Sequence, residues 1–365
     1  MAPCLLIPSP KEDDDHKDEV IAAIAKEVCK GTGEEEEFHF PEYCFYSLAE
    51  RKVVSLNNVR SKSNIVIPDH AICVGSSHGW LAYLDPHECA LFLTNPLVSP
   101  VPPTIRLPRL PRFLIPESCS DFKKLVMSCS PSSDNNDCTV MVTISCNCHN
   151  LVFCKVGDSS WTELEADHEV IVYSNKDQLF YSRNYYDGSK FAAWDLRNSC
   201  SPHRIDIDSA FAYGMPDYPE SEKKQRERYL YGNWQHYLVV ESHSGDVLLV
   251  SKYCDFRSPL RTIRIDVYRL NAPKRGWDYV TDLGDGVVFV GLNQAFHLSA
   301  LDFAPGVLIP NSIYFTPEND KLDYEMGIYN MRDFTVTSFF PSHLHPFNKI
   351  HQPPPIWLTP NPWNN

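Results

Sequence analysis

The sequence runs to 365 residues with 43% hydrophobic and 12% aromatic content, long enough for two domains but also within the range of one closed all-β fold. The formal charge is −14, and residues 1–40 hold 11 acids against 4 bases, which accounts for half of it. Without a net basic surface, sequence-independent binding to nucleic acid or to an anionic membrane is not expected.

Met1 to Pro10 is a short apolar segment closed by prolines. Lys11 to Glu19 is a charge run, and Val20 to Cys29 sets Val20, Ile24 and Cys29 roughly on one side of a three-turn helix. Glu34 to Glu37 is an acidic linker, so residues 1–40 are expected to form an appendage. Strand-like segments then follow at Tyr43 to Leu48, Lys52 to Leu56, Ala71 to Val74, Trp80 to Leu84 and Ala90 to Leu93. Pro96 to Pro116 carries seven prolines and admits at most one edge strand. Strands resume at Lys123 to Ser128, Thr139 to Ile144, Leu151 to Cys154 and Phe191 to Asp195. Tyr213 to Arg228 has two prolines and no apolar period, the composition of a long exposed loop. Beyond it come Tyr237 to Val240, Val247 to Ser251 and Thr262 to Tyr268, whose alternation puts Ile263, Ile265 and Val267 on one face. Ile313 to Phe315, Tyr324 to Tyr329 and Phe334 to Phe339 complete the set, and residues 341–365 read as a Pro-rich tail with one apolar island, Ile356 to Leu358.

Two stretches repeat. Leu151 to Cys154, a turn, Trp161, Val170 to Tyr173 and Leu179 to Ser182 match Asp266 to Tyr268, a turn, Trp277, Val287 to Val290 and Ala295 to Ser299 at nearly constant offset. A fixed-offset repeat of strand, turn, tryptophan and strands marks an array of small antiparallel sheets. Such sheets bury both faces only against neighbours, and radial closure leaves only short edges. The strand count gives one β-propeller over residues 41–340, with six four-stranded blades or, as the alternative, seven smaller ones. The count is even only if the earliest strands complete the last blade. Trp80, Trp161 and Trp277 are read as packing residues between blades, because an indole buries a large area and its N–H reaches a turn carbonyl.

No catalytic constellation stands out, and neither a metal nor another cofactor is expected. Gly75-Ser76-Ser77-His78-Gly79 fits the hydrolase nucleophile pattern, but that chemistry needs a following helix and WLAYL is strand-like. Ser77 is therefore read as part of a tight turn. Cys146-Asn147-Cys148-His149, with Cys138 and Cys154 nearby, lacks the second ligand pair of a structural zinc site. Gly284-Asp285-Gly286 with Gly291 misses the dinucleotide-binding spacing, and His243 to Asp246 is a hairpin turn. Lys223, Lys224, Arg226 and Arg228 alternate with acids on the longest loop, where a scaffold carries contacts. They are the candidate partner-binding residues. Thirteen scattered cysteines, many in apolar runs, read as free thiols in a reducing compartment. No apolar run approaches the ~20 residues of a membrane span. An acid-rich N-terminus without arginine before Arg51 is unlike a transit peptide, so cytoplasm or nucleus is expected.

Taken in order, PCLLI (3–7), FYSLAERKV (45–53), CVGSSHGWLAYLD (73–85), LFLTNPL (91–97), IRLPRL (105–110) and VFCKVGDSSWTELE (152–165) resemble the plant F-box-associated, kelch-like β-propeller family, long catalogued as a domain of unknown function. YLVVESHSGDVLLVSKY (237–253), VYRLN (267–271), Trp277 with VTDLGDGVVFVGLNQAFHLSA (280–300) and NSIYFT (311–316) extend the resemblance nearly end to end. It implies a propeller that holds a protein substrate for a cullin-type ubiquitin ligase. Here PCLLI begins at residue 3, where an F-box of ~40–50 residues would already have ended. The expectation is a non-enzymatic interaction module, an adaptor or competitor that does not bind the cullin adaptor by itself. The alternatives are a true ligase receptor and a propeller enzyme with a site at the central channel.

Overall fold

The computed structural model describes residues 2–7, 43–56, 65–98, 103–111, 122–131, 137–146, 148–184, 190–208, 233–255, 261–271, 273, 276–318, 325–341 and 355–359. Three strands come first, β1 (Cys4–Ile7), β2 (Tyr43–Ser47) and β3 (Lys52–Leu56). Four blades of four sequential antiparallel strands follow. Blade I holds β4 (Ile72–Ser77), β5 (Trp80–Asp85), β6 (Ala90–Thr94) and β7 (Thr104–Arg109). Blade II holds β8 (Phe122–Met127), β9 (Thr139–Cys146), β10 (Cys148–Lys155) and β11 (Thr162–Leu164). Blade III holds β12 (Val170–Ser174), β13 (Leu179–Arg183), β14 (Lys190–Asp195) and β15 (His203–Asp208), and blade IV β16 (Asn233–Val240), β17 (Val247–Cys254), β18 (Thr262–Asn271) and β19 (Gly276–Val280). The first strands of these blades lie side by side around the axis.

Blade V departs from the plan. Its strands β20 (Gly286–Val290), β21 (Phe296–Ser299), β22 (Ser312–Phe315), β23 (Gly327–Asn330) and β24 (Val336–Thr337) pair in the order β21-β20-β22-β23-β24. β20 and β22 run parallel. A parallel pair needs a long connection, and residues 291–311 supply it by way of β21 and a 3₁₀ turn at Ala300–Asp302. The repeat drawn through Val170 and Val287 therefore breaks in three dimensions. β12 is the inner strand of its blade, whereas in blade V the strand beside the neighbouring inner strand is β21.

The last strand, β25 (Ile356–Leu358), closes the ring by pairing with β1, Leu5 opposite Trp357. Blade VI is thus β25-β1-β2-β3. The earliest strands do complete the last blade, but their partner is the apolar island rather than Phe334 to Phe339. Residues 4–7 and 356–358, set outside the propeller by composition, are strands within it. Prolines flank both short segments and mask them in sequence, while Leu5 and Trp357 are fully buried. The helix expected at Val20 to Cys29 lies outside the described residues.

Six apolar clusters hold the molecule together, each shared by two consecutive blades, from blades VI and I around to blades V and VI. That is the packing of a closed ring: every sheet face is covered by its neighbour. It also explains why one-sided alternation is a poor guide here. In β18 the buried run is Ile265, Asp266, Val267 and Tyr268, on both faces, whereas Ile263 is exposed.

Trp161 and Trp277 hold matching positions. Each stands three residues before the residue of the outer strand that pairs with the repeat, Leu164 opposite Leu151 and Val280 opposite Val267. The Trp161 indole donates to Pro108 O of blade I at 2.8 Å, and Trp277 packs edge-on against Phe191 of blade III at 5.4 Å. Both therefore staple an outer strand to the preceding blade. Trp161 is buried but Trp277 only partly so. Trp80 differs, since it starts the second strand of blade I and donates to Ser130 Oγ of blade II at 2.9 Å.

Candidate functional site

The channel is occupied by the chain itself. Gly291 to Gln294, the β20–β21 connection, reaches across to blades I and II: Gln294 N donates to Ser76 O at 2.7 Å. Lys124 of β8 donates to Gly291 O at 2.6 Å and pairs with Glu318 Oε1 at 2.8 Å. Its ammonium also lies 5.2 Å from the Tyr237 ring of blade IV. Gly291 is required by close packing against Thr316 within its own blade. It has φ +154°, and a Cβ there would stand 2.1 Å from Thr316 Oγ1. A second lysine, Lys252, is fully buried, donates to Gln235 Oε1 at 3.2 Å and lies 4.8 Å from the Phe315 ring. Buried charges need such partners, and these cations serve to join blades.

Ser77 belongs to the same polar knot. Its hydroxyl donates to Gln294 Oε1 and accepts from Met127 N at 3.1 Å. His78 and Gly79, at φ +49° and +82°, form the two-residue hairpin turn between β4 and β5. His78 Nδ1 lies 3.0 Å from Ser77 Oγ, and burial pulls its imidazole down to about 4. The hydroxyl is buried and committed at a strand–strand turn, not exposed at a strand–helix elbow.

Register separates the cysteines grouped by sequence. Cys146 pairs with Cys148 at one end of the β9–β10 hairpin, while Cys154 lies opposite Val140 at the other end. Cys138, just before β9, shares the second end. The register thus sets Cys138 and Cys154 at the opposite end from Cys146 and Cys148, and among the described residues no group of three or more His, Cys, Asp or Glu could hold a metal. Lys223, Lys224, Arg226 and Arg228 lie outside the described residues, in the connection from β15 to β16.

Sequence reasoning passed over a cleft of about 460 Å³ between blades II and III, lined by Cys129, Lys155, Tyr173, Gln178 and Arg197 among others. It sits where the β8–β9 and β12–β13 hairpins meet the ends of β10 and β14. Lys155 Nζ donates to Arg197 O at 3.1 Å and lies 3.7 Å from Asp137. Arg197 grips Asp195 with both arms of its guanidinium and holds that carboxyl down at about 2. Cys138 Sγ donates to Cys129 O at 3.1 Å. The neighbouring Cys138 thiol lowers the Cys129 thiol to about 7 against the opposing effect of burial. The Cys129 thiol in turn, with burial, pushes Cys138 far up. The sequence signal was the polar setting of SCSPSSDNNDC (128–138), unlike the apolar runs around Cys44 or Cys154.

Comparison with known proteins agrees with the architecture. The family model described as the KIB1-4 beta-propeller matches residues 45–330. An F-box protein of Arabidopsis thaliana is 28% identical over 254 residues, covering 67% of this chain and 61% of the relative. F-box protein SKIP23 from the same plant is 30% identical over 132 residues, 34% of this chain and 32% of that protein. The chain thus spans about three-fifths of the length of the first of these relatives. Among solved structures, a mannose phosphorylase from Leishmania mexicana superposes with a TM-score of 0.27 and 10% identity over 55% of this chain and 61% of the other, a likeness too low to carry any argument. Among the described residues no helix is long and apolar enough to cross a membrane.

Proposed function

Because the chain belongs to the KIB1-4 β-propeller family, we propose that it is a non-enzymatic protein-interaction module that holds another protein on its rim, as the propellers of F-box proteins are taken to do. Within a ubiquitin-ligase substrate-recognition system it acts as an adaptor or competitor, without gripping the cullin adaptor itself. The observation that carries the reading is the channel. Residues 291–294 enter it, and Ser77 and Lys124 are bound to groups from other blades, so the polar side chains there maintain the ring. Substrate binding then falls to the connections at the ends of the blades, where loops on a rigid scaffold carry contacts. The β15–β16 connection, with Lys223, Lys224, Arg226 and Arg228, is the proposed contact. Cytoplasm or nucleus is the proposed location, in keeping with the free thiols of the nine cysteines whose side chains are described.

The test is capture from plant extract with the tagged 365-residue chain, beside a variant in which Ser221 to Arg228 is replaced by a Gly-Ser linker. The expected result is a partner retained by the first and lost by the second. Equal capture by both would remove the loop from the reading. An adaptor contact that buries the usual ~1,200–2,000 Å² would bind at micromolar or tighter concentration, and such binding of purified cullin adaptor would replace the adaptor-or-competitor role with that of a ligase receptor.

A further inference from the structure

The β8–β9 register places Met127 opposite Val140, and Ser128 N donates to Thr139 O at 2.9 Å. Continued one step past the ladder, this register brings Cys129 and Cys138 together at the loop end of the hairpin, where Cys138 Sγ reaches Cys129 O at 3.1 Å. Opposed residues on antiparallel strands bring their Cβ atoms to ~4.5–5.5 Å, and a disulfide wants ~3.5–4.5 Å, so closure takes about one ångström of adjustment. The two thiols are not alike. Cys138 is buried, whereas Cys129 is partly exposed and lines the cleft. Ser128 Oγ lies 3.9 Å from Cys129 Sγ. The charged groups facing this spot are Asp137 on its own hairpin, Lys155 from β10 and Arg197 after β14, with the Tyr173 phenol from β12.

We propose that Cys129 and Cys138 form an oxidisable dithiol: a hydroperoxide converts Cys129 to a sulfenic acid, and Cys138 closes it into a disulfide across the hairpin. In the first step the Cys129 thiolate attacks one peroxide oxygen. The O–O bond breaks, hydroxide leaves and takes up a proton as water, and the sulfur becomes S–OH. In the second step the Cys138 sulfur attacks the Cys129 sulfur, the S–O bond breaks, and the hydroxyl departs as water with the Cys138 proton. With hydrogen peroxide, two electrons from the thiol pair reduce one oxidant to two waters. The cleft gives the oxidant access to Cys129, and Cys138 Sγ, donating to Cys129 O at 3.1 Å, is held beside the same residue for the second step. A low-pKa, accessible thiol beside a resolving one is the arrangement such chemistry needs. Among the described thiols, burial pushes Cys44 up to about 12 and Cys4 to about 11. The proposal is independent of what the propeller binds.

The experiment treats the reduced full-length chain with stoichiometric hydrogen peroxide, blocks remaining thiols with N-ethylmaleimide and maps all thirteen cysteines by mass spectrometry. A peptide pair joined through Cys129 and Cys138, lighter by two hydrogens, is expected as the first product. Cys138→Ser should instead leave Cys129 as a sulfenic acid that dimedone captures. In the untreated wild-type chain, the rate of iodoacetamide alkylation at Cys129 should rise with a midpoint near pH 7, against ~8.5 for an ordinary thiol. Should Cys138→Ser fold poorly, the two wild-type measurements decide alone. First oxidation at another cysteine without a Cys129–Cys138 link, or a Cys129 midpoint near that of an ordinary thiol, would overturn the proposal.

Discussion

Trp357→Ala tests whether the ring is closed by the final strand. Trp357 is fully buried between blades V and VI. Its ring lies 5.2 Å from Phe289, 5.2 Å from Phe339 and 6.0 Å from Tyr314, edge-on to each. Truncating a core tryptophan costs about 3–5 kcal/mol, and with three aromatic partners lost the upper end of that range applies. For a chain of this length the unfolding entropy is about 0.8 kcal/mol/K, so at that upper end the melting temperature should fall by about 6 °C. The loss should appear as a shift of the whole transition, since β25 joins the two ends of the chain through β1. Circular dichroism melts of wild type, Trp357→Ala and Trp357→Phe would read it, with the phenylalanine variant in between. If residues 355–359 were instead a loosely attached tail, the alanine variant would melt within about 1 °C of wild type, and the assignment of β25 to blade VI would be wrong.

Trp161→Ala should cost about 3–5 kcal/mol, and Trp277→Ala clearly less because Trp277 is only partly buried; equal losses in urea titrations would contradict the difference in packing. Gly291→Ala should destabilise by about 3 kcal/mol through overpacking against Thr316 and an unfavourable φ, and Thr316→Ala should relieve part of that. Additive losses in the double variant would separate the two sites. Burial holds His78 near 4 in the folded chain and lowers His236 as well, whereas an unfolded histidine titrates near ~6.5. The unfolded chain then takes up protons first, so stability is complete above about pH 6.5 and declines as pH falls toward 4. His78→Asn, which tolerates the left-handed turn, should lose less melting temperature between pH 7 and pH 5 than wild type, and an identical slope would contradict the assignment.

The cleft between blades II and III shows why the candidate site was less legible than the fold. SCSPSSDNNDC (128–138) reads as one more polar turn, and its cysteines become a pair only once β8 and β9 are in register. Lys155 and Arg197 arrive from other strands and, in the second case, from another blade. Chemistry assembled from separate blades leaves no spacing to read. The hairpin of Ser77, by contrast, was legible, because His78-Gly79 between two apolar runs encodes its own turn.

By itself the sequence determined a propeller. Short apolar runs divided by turn residues, and a tryptophan repeated at constant offset before an outer strand, are local or periodic features that the backbone obeys wherever it finds itself. Packing decided the rest. A three-residue island bounded by prolines has no strand signal of its own, and Ile356–Leu358 becomes a strand only because the open edge of β1 offers hydrogen bonds and two blades offer an apolar slot. The parallel pairing of β20 with β22, and the entry of Gly291 to Gln294 into the channel, were likewise settled in three dimensions. Lys124, Ser76 and Ser77 recognise that connection from blades I and II, more than 160 positions away in the chain, and no local propensity spans that distance.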